Sequence, residues 1–248
     1  GRYSPLEGYD GFVDKLQKMQ DYYTRLKEVL RGVDTYWLNE PLRTVFNHSH
    51  NLYIDGGDQA MRYGLGISYN NWDGVMKKSD RDGLGVNIDL IYRRKGLLFS
   101  NKASVDLSNS EREPVAFSQF SRANPYYRKK QENGVIPMYL ERKTGLYGED
   151  MLNPLYVWNI ENTNTSKDLA LRDNFTMEWT TFDALRLRAR LGISKSISKT
   201  EAFKSPNHTD FLQTEKLKKG SFSFNQNESF SYNGDLNIIF GKIFKNIH

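Results

Sequence analysis

The sequence predicts an all-β fold, an antiparallel segment of a transmembrane β-barrel: about seven strands of a larger barrel, with long extracellular loops and one N-terminal amphipathic helix. Three observations predict it. Seven stretches alternate apolar and polar residues, which keeps two sets of side chains on opposite faces only if the backbone is extended. Those stretches are longer than globular strands of roughly 5 to 6 residues and match the about 9 to 11 that a tilted strand needs to cross a bilayer. The connections between them are by turns very short and very long, as in outer-membrane barrels.

The first forty residues differ from the rest. Phe12, Leu16, Met19, Tyr23, Leu26 and Leu30 recur at helical spacing. Asp10 can cap the start and Gly32 sits where a helix end favours positive φ, so one amphipathic helix is expected over 11–31. Its stripe could dock a partner helix, and packing on neighbouring loops is the favoured expectation. Pro41 then leads into the first strand.

That strand, 44–55, is the loosest: Leu52 and Ile54 oppose Asn51, Tyr53 and Asp55, but His48 and His50 share the apolar parity. In the second, Met61, Tyr63, Leu65, Ile67 and Tyr69 oppose Arg62, Gly64, Gly66, Ser68 and Asn70. In the third, Leu84, Val86, Ile88, Leu90 and Tyr92 oppose Gly85, Asn87, Asp89 and Arg93. The same sorting recurs at 97–108, 171–181 and 230–240. It is clearest over 185–197, where Leu185, Leu187, Ala189, Leu191, Ile193 and Ile197 oppose Arg186, Arg188, Arg190, Gly192, Ser194 and Ser196. The first set is expected to touch lipid and the second the lumen.

Tight turns are expected at 56–59, 95–96 and 182–183, with another beginning at 241–246. Long excursions are expected at 71–82, 109–170 and 199–227. Short periplasmic turns and long outer loops then orient the chain, so strands beginning at Thr44, Gly83, Leu171 and Glu228 run toward the periplasm. The expected division is 1–43, an extracellular loop with the helix, and 44–248, a partial barrel. Trp72, Trp179, Tyr53, Tyr69 and Tyr92 fall near strand ends, at headgroup level.

Composition agrees. Hydrophobic residues make up 38% of the chain, mean hydropathy is −0.69, and no run reaches the length of an apolar transmembrane helix. Zero cysteines exclude a disulfide scaffold and a cysteine-based zinc site. A net charge of +5 suits an anionic partner such as lipopolysaccharide phosphates, against the plainer reading of solvated surface charge. The chain opens at Gly1 without Met or a signal peptide and stops at His248 inside an expected turn, so a fragment of a longer protein or a truncated product is expected.

The most specific sequence lies in 109–170. At Phe117-Ser118-Gln119-Phe120-Ser121-Arg122-Ala123-Asn124-Pro125-Tyr126-Tyr127-Arg128, and again at Asn153-Pro154-Leu155-Tyr156, the chain resembles the SusC/RagA family of TonB-dependent outer-membrane transporters. Arg31-Gly32-Val33-Asp34-Thr35-Tyr36-Trp37 before Pro41-Leu42-Arg43, the strand end Leu52-Tyr53-Ile54-Asp55-Gly56-Gly57, and Leu185-Arg186-Leu187-Arg188 after Trp179 are similar to that family's early barrel. The resemblance implies a 22-stranded barrel closed by an N-terminal plug, energised by the TonB complex, lidded by a SusD-like surface lipoprotein, and importing oligosaccharides or peptides in Bacteroidetes. The plug, the TonB-contacting segment and most strands have no counterpart here. Seven strands cannot enclose a plugged lumen, and open edges in lipid would leave backbone groups unpaired.

Tyr126, Tyr127, Arg128, Tyr156 and Trp158 are the expected partner or substrate contacts; with Tyr139 and Tyr147 they make the loop aromatic, which suits sugar stacking or a protein interface as well as ordinary packing. No catalytic residue, cofactor, metal site or nucleic-acid partner is expected. His48 and His50 share a strand face without an acid beside them, and His208 and His248 are remote. Gly64-Leu65-Gly66 and Gly83-Leu84-Gly85 lack the following helix of a nucleotide loop and are expected to permit bending or close backbone approach. Glu111, Glu113, Glu149 and Asp150 have no scaffold that would make a glycosidase pair of them. The alternative to a transporter is a soluble carbohydrate-binding β-sandwich, whose second sheet would cover the apolar face.

Overall fold

The computed structural model describes residues 5–142, 150–182 and 185–241. Helix α1 spans Pro5–Leu30, so Asp10 lies inside it and does not cap it. Its far end follows the expectation: Gly32 has φ +73°, and Val33 N–H reaches back to the Glu28 carbonyl at 3.1 Å, closing the helix. The apolar stripe is not packed on loops. Phe12, Leu16, Met19, Tyr23 and Leu30 are all exposed, because the helix meets the rest of the chain through its charged side.

Seven antiparallel strands form one open sheet: β1 (His48–Gly57), β2 (Met61–Asp73), β3 (Asp80–Arg94), β4 (Leu97–Glu111), β7 (Asn162–Phe182), β8 (Leu185–Lys204) and β9 (Ser221–Phe240). Strands β5 (Tyr139–Glu141) and β6 (Met151–Leu152) pair separately, inside the long β4–β7 connection. Every neighbour in the sheet is next in sequence except β4 and β7. The sheet does not close: β1 and β9 are edges.

Most strands run well past their expected ends, leaving connections at 74–79, 112–161 and 205–220. Alternation marks only the part of a strand that has one apolar face. Where both faces meet polar surroundings, pairing continues without a hydrophobic signature, as at Lys167↔Lys199 and Thr165↔Glu201. At the other end the turns are tight. Asp58 Oδ1 accepts from the Ala60 and Met61 N–H groups at 2.7 Å each, and Lys95 and Gly96 both take positive φ, the requirement of a two-residue hairpin turn. The turns expected at 182–183 and 241–246 fall partly or largely outside the described residues.

The register carries one apolar face across the whole sheet. Leu52↔Ile67, Ile67↔Val86, Val86↔Val105, Val105↔Leu171, Trp179↔Leu187 and Leu187↔Ile238 all lie on it. Its members are exposed or half-buried, Ile88 exposed by 49% and Leu191 by 44%. The opposite face is polar and crowded: Gly64, Gly66, Gly83 and Gly85 are buried there, and a Cβ built at Gly64 would lie 2.2 Å from the Tyr53 hydroxyl. What approaches Gly64, Gly66 and Gly85 is a neighbouring side chain, of Tyr53, Asn87 and Ser68, and not the backbone expected from the sequence. Tyr53 and Trp72 therefore stand on the polar face, while Tyr69, Tyr92 and Trp179 stand on the apolar one.

The buried core is elsewhere. Trp37, Val115, Phe120, Ala123, Leu155, Val157 and Trp158 cluster within the connections, where the 3₁₀ turn Trp37–Asn39 and helices α2 (Phe117–Ser121) and α3 (Pro154–Asn159) meet. Among the described residues no helix is long and apolar enough to cross a membrane, which says nothing about strands.

Candidate functional site

The connections fold into a cap, and the motif residues explain why. Asn153 is fully buried; its side-chain oxygen caps α3 by accepting from Leu155 N–H at 3.0 Å, and its amide donates to the Lys129 carbonyl at 3.3 Å. Pro154 occupies the first turn of α3, where its missing N–H costs nothing. Phe120 is fully buried and meets Trp158 edge to face at 5.5 Å. The Trp37 indole N–H donates to the Asn124 carbonyl at 3.1 Å, and Thr35 N–H to the Pro125 carbonyl at 2.8 Å. These bonds tie the segment after α1 to the loop.

Helix α1 is latched to the same loop by charge. Arg25 makes a two-pronged bond to Glu141, at 2.8 and 3.0 Å from one nitrogen and 3.1 Å from Nε. The Tyr127 hydroxyl donates to Glu141, Arg128 pairs with Glu28, and Lys129 with Glu40. The carboxylate of Glu141 raises the Arg25 pKa against a smaller opposing effect of burial. Burial, reinforced by the bond to Glu141, pushes the Tyr127 phenol well above its ordinary value. Arg25 also sits over the Tyr126 ring, 6.0 Å from its centroid. A cavity of about 280 Å³ opens between helix and loop, lined among others by Arg25, Tyr126, Tyr127, Tyr139 and Glu141.

The structure thus brings Tyr126, Tyr127 and Arg128 together on this cavity. It separates the other two candidates: Trp158 is 8% exposed, in the core, and Tyr156 is partly buried against it. Tyr147 and Glu149 lie outside the described residues. Arg25, Glu28, Glu40 and Glu141 were not legible as site residues, because nothing in the sequence joins the N-terminal segment to a loop 89 to 116 positions away. Asn153 carried a signal in its Asn-Pro pair ahead of an apolar run.

The polar face of the sheet carries ion pairs between neighbouring strands: Arg188–Glu178 at 2.7 Å, Arg190–Asp235 at 2.9 Å and Arg172–Asp106 at 2.9 Å. On the apolar face the ring of His48 lies 5.1 Å from that of His50 and 5.9 Å from that of Tyr69. Among the described residues no three His, Asp or Glu side chains converge as a metal site would need.

An open antiparallel sheet with one free apolar face and one crowded, ion-paired face has the architecture of a segment of a β-barrel wall. Solved structures carry that likeness: a chain of the RagAB peptide transporter matches with a TM-score of 0.56 at 17% identity, over 71% of this chain and 20% of that one. A chain of the RagAB peptide importer in its closed-closed state matches with a TM-score of 0.56 at 13% identity, over 84% of this chain and 32% of that one. At these identities the likeness concerns the fold, and the chain spans only a fifth to a third of those chains' length. No protein-family profile and no curated protein matches the sequence.

Proposed function

We propose that this chain is part of the wall and outer cap of a TonB-dependent outer-membrane transporter, which imports peptides or oligosaccharides with a SusD-like lipoprotein as its lid. The observation that carries this reading is the broad apolar face, interrupted by the Asn101–Asp173 and Lys195–Glu228 pairs and uncovered by any second sheet among the described residues. A soluble sandwich would bury that face on another sheet, and the one other sheet described is the two-stranded β5–β6. The height of the apolar band supports the bilayer. From Leu187 to Ile197 the strand rises roughly 33 Å, which at the tilt of such barrels is about 25 Å along the membrane normal.

The two open edges support membership of a larger barrel. Unpaired backbone groups on β1 and β9 would each cost several kcal/mol in hydrocarbon, so further strands pair there. In this arrangement the polar face looks into the lumen, the tight turns lie in the periplasm, and the cap lies outside with Tyr126, Tyr127 and Arg128 toward lid or substrate. Catalysis has no part in this reading.

The test is uptake by cells carrying the full-length transporter and its lipoprotein. Replacing Tyr126, Tyr127 and Arg128 together with alanine should weaken co-purification of the lipoprotein more than replacing Lys129 and Lys130. Full retention of the lipoprotein with loss of uptake would make the loop a substrate contact and overturn its docking role. Retention of both would remove the cap from either role.

A further inference from the structure

Lys167 and Lys199 stand directly opposite each other on β7 and β8, on the apolar-face parity, one step beyond the Leu169↔Ile197 pair that ends the apolar band. Both are exposed, and neither has an acidic partner among the described residues. Like charges directly opposite across a ladder are destabilising. The direct neighbours on that row do not relieve it: Asn109 faces Lys167 and Gln226 faces Lys199, both neutral, and the Asp82 carboxylate one strand further on is engaged by the Asn109 amide at 3.0 Å. Glu111 and Glu201 lie one step further out, across Thr165, on the solvent side. Glu228, one step inward, is held by Lys195 at 2.6 Å. The cationic doublet therefore sits between the hydrocarbon band and the outer carboxylates, at the depth of lipid headgroups.

We infer that Lys167 and Lys199 form a binding site for the phosphate of an anionic outer-leaflet lipid, of the diphosphoryl glycolipid type. This inference rests on the membrane-wall reading above. A phosphate bridging the two ammonium groups converts their repulsion into two charge-assisted hydrogen bonds. The Gln226 amide flanks it with a further donor, and the apolar face below takes the acyl chains. Both lysines stand on the apolar-face parity, opposite the lumen side of the sheet, so an anion inside the barrel does not reach them.

The experiment uses the full-length transporter reconstituted in phosphatidylcholine vesicles with or without diphosphoryl lipid A. It compares wild type with Lys199→Gln, Lys167→Gln/Lys199→Gln and the surface control Lys216→Gln/Lys218→Gln. Flotation, melting temperature and retained lipid A by native mass spectrometry are read for each. Lys199→Gln should raise the melting temperature in phosphatidylcholine alone, by relieving repulsion, and lower it relative to wild type when lipid A is present. The double variant should bind lipid A about tenfold more weakly, and the control should match wild type. Failure of wild type to float would overturn the wall reading and this site with it. Flotation with equal lipid A retention in wild type and double variant would overturn the lipid site alone. Inorganic phosphate binding as tightly as lipid A, and lost in the double variant, would assign the pair to a soluble anion and overturn the lipid.

Discussion

Phe120 shows what a single buried side chain does in a protein whose sheet has no core of its own. It is fully buried, against Trp158, at the centre of the cap cluster. Phe120→Ala should cost about 3–5 kcal/mol of cap stability, seen as faster amide exchange across Pro154–Asn159, while the strands keep their protection. Glu141 holds the latch, and Glu141→Gln should weaken it by about 1 kcal/mol once solvent screening is allowed for, speeding exchange in α1. Asp58 gives a pH signature. The backbone N–H groups of Met61 and Ala60 lower its pKa, so the stabilisation is complete above the ordinary carboxylate value and lost as pH falls through the depressed one. Amide protection of Ala60 and Met61 should survive acidification below the ordinary value and then fail. Asp58→Asn, which keeps an acceptor, should remove that dependence.

At the scale of the element, β8 separates its faces most cleanly. Leu191 lies midway between the rows of Leu187 and Ile197, so Leu191→Arg should cost about 2–4 kcal/mol of folding into bilayers, and Leu187→Arg, near the band's edge, less. Arg188→Leu should leave insertion nearly unchanged, since Arg188 pairs with Glu178 on the polar face. Equal penalties on both faces would refute the assignment. The β4–β7 pair poses a different problem: 112–161 separates the two strands, so no turn sets their register. On the apolar face, however, the Asn101 amide donates to Asp173 at 2.5 Å. A slip by two residues would strand a carboxylate in hydrocarbon, so Asn101→Leu/Asp173→Leu should admit a second register. Cysteines at Ser100 and Thr176, partners in the native register, should then cross-link less completely than in the parent.

For the whole molecule, orientation is the decisive property. The cap gathers 112–142, 150–161 and α1 at one end of the sheet and the turns at 58–60 and 95–96 at the other. A cysteine at Ser118, exposed on α2, should react with a membrane-impermeant maleimide on whole cells carrying the full-length protein, and one at Lys95 should not. The reverse pattern would invert the topology.

The sequence by itself determined the two-faced wall. Apolar–polar alternation with period two is a local property, so it located all seven long strands and their two faces, down to Leu187 on the apolar one and Arg188 on the polar one. It stopped where apolar contact stopped, which is why the outer parts of β7, β8 and β9 read as loop although they pair fully. Tertiary structure decided the cap. Arg25 meets Glu141, Trp37 meets Asn124, and Phe120 meets Trp158 across gaps with no periodic signature. The same folding took Trp158 from a surface contact to a core residue and left the stripe of α1 in the open. A pairing between distant segments is set by which surfaces are brought together and buried at the same time. That balance of burial against chain entropy belongs to the assembled molecule and to no window of its sequence.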